Sequence, residues 1–189
     1  MSSAEQTRLR ILDSATTEFA RHGIAGARVD RVALGAGVSK PMIYTYFGSK
    51  SGLFDAVFEA HVIANGDRVP FTPEDLPGYA VRLYEDYVAD PSLVRLLMWK
   101  RLEREPDGYL YPGMEDLDDA HVRDIEDRQR AGELRADLSP EDVWALLISM
   151  ASTWAQSSLT AVATATDPQS VHDRRSRALA HAVGAMLLP

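Results

Sequence analysis

The stretch from Val29 to Lys50, VDRVALGAGVSKPMIYTYFGSK, constrains the fold of this chain more than any other. Val29, Val32, Ala33 and Ala36 recur at spacings of three and four, which is one apolar helix face. Gly37 then supplies a turn that a β-carbon would resist, and Val38 fills the corner. Ser39 stands where a helix N-cap belongs. Lys40 and Pro41 follow in a first turn, where proline costs nothing because its N–H would be unpaired anyway. In the helix from Lys40 to Phe47 the spacing points Ile43 and Phe47 inward and leaves Lys40, Pro41, Tyr44 and Thr45 for an outside partner. A short donor-rich helix propped by another across a glycine turn is the helix-turn-helix geometry that reads the DNA major groove.

A net charge of -8 looks wrong for a DNA binder until it is divided along the chain. Residues 1–50 carry Arg8, Arg10, Arg21, Arg28, Arg31, Lys40 and Lys50 against Glu5, Asp13, Glu18 and Asp30, a net +3, which leaves -11 for the remainder. That asymmetry suits a local phosphate-binding patch on an acidic body. The chain has no cysteine, so disulfides and thiolate metal sites are excluded. It has no apolar run long enough for a membrane span, and its start, MSSAEQTRLR, lacks the apolar core of a signal peptide. A cytoplasmic location with no membrane partner is expected.

Taken in order, the pattern predicts a first helix from Glu5 to Arg21, with Leu12, Ala15 and Phe19 on one face and Gly23 as its stop. The two helices of the turn motif come next. A fourth then carries Leu53, Phe54, Val57, Phe58 and Val62. Asn65 to Pro77 (NGDRVPFTPEDLP) reads as a domain boundary. Beyond it the pattern stays helical: Tyr79 to Ala89, a helix opening after Asp90-Pro91, a loop from Glu105 to Gly113, and a charged helix from Glu115 to Ala131. A long helix capped by Ser139 and reaching past Trp154 follows, then a last one from about Gln169 to Leu188. The expected class is all-α with about nine helices. Residues 1–64 should form a three- or four-helix DNA-binding domain with the turn motif at about 28–47, and residues 65–189 a second helical domain.

The run Ala36-Gly37-Val38-Ser39, Tyr44, Tyr46-Phe47, Ser49-Lys50 and Leu53, preceded by Ile11-Leu12-Asp13, Ala15, Phe19 and Gly23, resembles the tetracycline-repressor (TetR) family of transcriptional regulators. The resemblance implies that Tyr46 and Lys50 hold phosphates, Lys50 with help from the start of its own helix. It implies that Lys40 and Thr45, near Ser39, reach base edges, and that Pro41 and Tyr44 meet a thymine methyl or the sugar backbone. Where the family carries a Thr or Ser pair before the turn, this chain has Ala27 and Arg28, which makes Arg28 the candidate replacement contact.

The second region is rich in aromatics and methionines, among them Tyr84 and Met114. The resemblance implies a small-molecule cavity there, for which Tyr87, Met98, Trp99, Leu102, His121, Trp144, Met150 and Trp154 are the candidate lining. Such stripes are also ordinary core. Small residues recur at helical spacing in Ala151, Ala155 and Ser158, and in Ala178, Ala182 and Ala185. The resemblance implies a homodimer formed by these last helices, and intramolecular packing uses the same pattern.

Enzymatic motifs are missing. The histidines have no metal-ligand spacing, and there is no GxSxG and no phosphate-binding loop, so neither catalysis nor a cofactor is expected. The reading is a repressor released from a palindromic operator on double-stranded DNA by a small apolar or aromatic effector. The alternatives are a constitutive regulator whose second domain only dimerises or binds a protein, and an all-α enzyme or carrier with a vestigial DNA-binding domain.

Overall fold

The structure is a computed structural model that describes residues 2–111 and 115–189; Met114 and the end of the Glu105–Gly113 loop lie outside the described residues. Among these residues there are nine helices and no strand: α1 (Ser3–Gly26), α2 (Val29–Ala36), α3 (Lys40–Phe47), α4 (Lys50–Arg68), α5 (Leu76–Ala89), α6 (Ser92–Glu103), α7 (Glu115–Arg130), α8 (Pro140–Ala151) and α9 (Gln169–Leu187). The expected all-α architecture is present. The chain divides into two compact units, Met1–Asn65 with Ser92–Leu110, and Gly66–Pro91 with Tyr111–Pro189.

In the first unit, α1 opens on a capping box, the Ser2 hydroxyl accepting from the Glu5 amide while the Glu5 carboxylate accepts from the Ser2 amide. Ile11, Leu12, Ala15 and Phe19 of α1, Val29, Val32, Ala33 and Ala36 of α2, Ile43 of α3 and Leu53, Phe54 and Val57 of α4 are buried and make up the core of this unit. Phe19 and Phe54 meet edge to face with centroids 5.2 Å apart. Phe47 is only half-buried, contrary to the inward placement its spacing suggested; its ring carries the Arg8 guanidinium 5.7 Å from the centroid.

The first unit also recruits α6, so it does not coincide with residues 1–64. The reason lies at Gly23, where φ is +72° and α1 kinks. A β-carbon there would fall 2.9 Å from the Trp99 ring and collide with the Glu103 carboxylate. The missing side chain lets α6 lie close: Trp99 Nε1 donates to the Ala20 carbonyl at 3.3 Å, and Glu103 Oε2 accepts from the Ala25 amide at 2.7 Å. Arg104 adds bonds to Asp55 and Ser51 of α4 and stacks over Phe54. Lys100 is buried, its ammonium donating to the Leu110 carbonyl at 2.7 Å over the Phe58 ring; burial pushes its pKa down.

The second unit is built on α5 and α9. Tyr79, Ala80, Leu83, Tyr84 and Tyr87 of α5 and Leu179, Val183 and Leu187 of α9 are buried, with Ile125 of α7 and Val143, Leu147 and Ala151 of α8 completing the core. The two units divide between Asn65 and Gly66, next to the expected boundary but inside α4, which continues to Arg68, whose guanidinium pairs with Asp86 of α5.

The long helix expected to pass Trp154 ends instead at Ala151, and residues 152–168 are turns and irregular chain. Serines there satisfy the backbone locally. Ser152 Oγ donates to the Ser149 carbonyl, and Ser158 Oγ accepts from the amides of Thr160 and Ala161, competing with helical bonding. Ala155 and Ser158 are therefore not one helix face with Ala151. On α9, by contrast, Ala178, Ala182 and Ala185 form an exposed stripe opposite the buried Leu179, Val183 and Leu187.

Candidate nucleic-acid interface

Two short helices and a turn give the interface its frame. Gly37 adopts φ +65° and ψ +39°, and its amide bonds back to α2, closing the helix where a side chain would be strained. The start of α2 has no side-chain cap; Arg28 at that position donates its amide to Glu18 Oε1 at 2.8 Å. Glu18 is buried on α1 and also accepts three bonds from the Arg31 guanidinium, two from Nε and one from an Nη, with His22 at 3.8 Å. Burial alone would raise the Glu18 pKa, but the Arg31 and Arg28 hydrogen bonds outweigh it and hold the carboxyl below its ordinary range. A buried carboxylate thus sets the start of α2 and leaves the Arg28 side chain exposed.

The outer face of α3 is Lys40, Pro41, Met42, Tyr44, Thr45 and Tyr46, all exposed, while Ile43 is 1% exposed. Ser39 sits at the N-cap position with extended backbone, yet its hydroxyl makes no cap bond. Lys40 Nζ lies 3.0 and 3.1 Å from the two carboxylate oxygens of Asp30, and that hydrogen-bonded carboxylate raises the lysine pKa. Thr45 Oγ1 donates to the Pro41 carbonyl at 3.1 Å, so the methyl and lone pairs are what it offers outward. Tyr44 is open. Tyr46 makes a long 3.4 Å bond to the Ala4 carbonyl. Lys50 is half-buried, its ammonium donating to the carbonyls of Ala25 (3.0 Å) and Ala27 (3.2 Å). It therefore ties down the link between α1 and α2, and one of its three N–H donors remains. Sequence reasoning passed over Glu18, Arg31 and Asp30, which read as scattered charges until folding pairs them.

The candidate effector residues fall into separate groups. Met98, Trp99 and Leu102 belong to the first unit, where Trp99 packs on α1 and Leu102 is exposed. In the second unit His121 and Trp144 pack with tilted rings, centroids 4.5 Å apart, joined by Phe71 and Tyr79 at 4.5–5.5 Å. The His121 Nδ1 is buried without a partner; burial lowers its pKa, opposed by Asp118 and Asp124. Burial pushes the Tyr79 hydroxyl up to about 12, and it also raises Tyr87, which is deep in the core. Trp154 lies instead against Tyr84 (5.7 Å) and the buried Arg175 (5.8 Å), which pairs with Asp167, while Tyr84 bonds His172 at 2.8 Å. Met150 is half-buried on α8. Phe71 and Tyr79 were missed because they fall in and beside a proline-rich stretch that reads as linker. Among the described residues there is no cluster of His, Asp or Glu able to hold a metal ion, and no helix long and apolar enough to cross a membrane.

Two family models match this chain: bacterial regulatory proteins of the tetR family over residues 11–57, and the tetracyclin repressor-like C-terminal domain over residues 75–184. The HTH-type transcriptional repressor SCO4008 of Streptomyces coelicolor is 38% identical over 152 residues, covering 80% of this chain and 79% of that protein. SCO4942 of Streptomyces coelicolor, a solved structure described as a transcriptional regulator, superposes with a TM-score of 0.80 at 37% identity, covering 96% of this chain and 98% of that one. A gamma-butyrolactone receptor (ArpA-like protein) shares the fold at a TM-score of 0.66 and 18% identity, covering 100% of this chain and 91% of that one. The exposed reader helix on its buried props, both domain models and these relatives agree: the chain belongs to the TetR family of helix-turn-helix, DNA-binding transcriptional regulators.

Proposed function

We propose that this protein is a dimeric repressor that binds a palindromic operator through α3 of each protomer and leaves it when a small aromatic or largely apolar effector binds the second unit. The observation that carries the DNA half is the exposed face of α3, where Lys40, Pro41, Tyr44 and Thr45 stand out from a helix fixed by buried Ile43. Arg28, Ser39, Tyr46 and the free donor of Lys50 are the backbone-contacting candidates around it, and repression follows the named role of SCO4008. Such a protein works in the cytoplasm, where its operator lies.

The effector half rests on the ring cluster of Phe71, Tyr79, His121 and Trp144, which holds a buried nitrogen with no partner. An aromatic surround with one unsatisfied polar atom is what a mostly apolar ligand with a single hydrogen-bonding group requires. Release is linkage: the effector must prefer the conformation that DNA does not. The close contact of the same rings favours a second reading, a constitutive regulator whose second unit is filled core.

Selection of bound duplexes from random DNA tests the first half, with a palindrome as the expected product; failure to recover any preferred sequence overturns it. Screening aromatic and apolar metabolites for release of that palindrome tests the second. Release that is lost in His121→Leu and Trp144→Ala supports the effector reading, and release that survives both substitutions places the effector elsewhere. Absence of any releasing compound favours the constitutive reading.

A further inference from the structure

Asp30 places a carboxylate against the reader helix, on a surface that must meet phosphate. It lies in the first turn of α2, and its carboxylate grips Lys40 at the start of α3, both oxygens within 3.1 Å of the ammonium. The pair is open to solvent, the lysine side chain 45% and the aspartate 72% exposed, so it is not a buried structural bond. We propose that Asp30 is a specificity-determining positioning residue: it withholds Lys40 from the phosphate backbone of arbitrary DNA and presents the ammonium to a base-edge acceptor in the operator. The proposal rests on the DNA-binding reading above and adds to it a residue that touches its partner rather than the backbone.

A free lysine on a flexible stem takes whichever phosphate is near, and each such contact releases a counterion without regard to sequence. Holding the ammonium between two carboxylate oxygens removes that option and leaves one N–H donor, directed by the pair's geometry, for the O6 or N7 of a guanine. This lowers affinity for arbitrary duplexes and leaves the operator contact intact, which widens the ratio between the two. Asp30 thus acts against the wrong partner, as interfaces that need discrimination do.

The test compares the full-length wild type, Asp30→Asn, Lys40→Ala and the double variant on the selected palindrome and on random duplex, each across a salt series, with circular dichroism melts to confirm folding. Asp30→Asn is expected to bind random duplex roughly two- to fivefold more tightly. Its log affinity against log salt should steepen by about 0.9 per protomer. The palindrome should gain less, so the specificity ratio falls. Both changes should vanish in the Lys40→Ala background, because they act through that ammonium. Equal gains on both DNAs, gains that persist without Lys40, or no change in slope overturn the proposal. A wild type that recovers no palindrome overturns the DNA-binding reading itself, and this proposal with it.

Discussion

A β-carbon at position 23 would have to fit where the Trp99 ring and the Glu103 carboxylate already lie, on a backbone at φ +72° and ψ -178° that only glycine adopts comfortably. Gly23→Ala is therefore expected to cost about 1–3 kcal/mol. The loss should appear as a lower urea midpoint for the whole protein, and an unchanged midpoint would show that α6 holds α1 by other contacts. His121 makes a prediction of a different kind. Its ordinary pKa is 6.5, and burial lowers it in the folded state. Between those two values the unfolded chain binds more protons than the native one, so stability falls as pH drops below about 6.5 and is unaffected well above it. Thermal midpoints from pH 7.5 down to 5.5 should fall more steeply for the wild type than for His121→Leu, and parallel curves would remove His121 as the cause.

At the scale of elements, α2 shows how one buried carboxylate replaces a cap. Glu18 accepts from the Arg28 amide and from Arg31, so Glu18→Gln keeps an acceptor for the amide but loses the charge that holds Arg31. The expected cost is about 1–2 kcal/mol. Because the Glu18 pKa is lowered on folding, its contribution is present above its ordinary 4.5 and is lost as pH falls through the lowered value. The variant should accordingly have a flatter acid limb in its stability profile than the wild type; an identical limb would show that other carboxylates set it. This pairing also marks the limit of what the bare sequence discloses. The helices of the turn motif were legible because their information is local: apolar spacing, a glycine at the turn, a proline in a first turn. Glu18 with Arg31, and Asp30 with Lys40, are thirteen and ten residues apart and meet only when α1, α2 and α3 pack. The same holds for α6, whose periodicity announces a helix without saying which core it joins. The end of α8 at Ala151 was hidden for the opposite reason. The apolar pattern persists past it, while a run of hydroxyl side chains supplies local bonds that periodicity does not register.

The protein as a whole carries -8, and its DNA-facing residues must overcome an acidic remainder, so one reader helix alone commands little affinity. Joining two readers in one dimer makes the second contact intramolecular, and a palindrome with half-sites about one DNA turn apart requires it. The surface best suited to that joining is the outer stripe of α9, where Ala178, Ala182 and Ala185 are exposed although the opposite face is fully buried. Three alanines in register on an exposed helix leave room for a second helix to come close, whereas long polar side chains would hold it off. Ala182→Glu places a charge in the middle of this stripe without disturbing Leu179 or Val183 on the other side. The wild type is expected to sediment as a dimer at micromolar concentration and the variant as a monomer, and the variant's melting temperature should lack the dependence on concentration that dimerisation imposes. Affinity for the palindrome should fall by about a hundredfold or more, with binding to a single half-site unchanged. A variant that remains dimeric and binds the palindrome normally would move the dimer contact off α9.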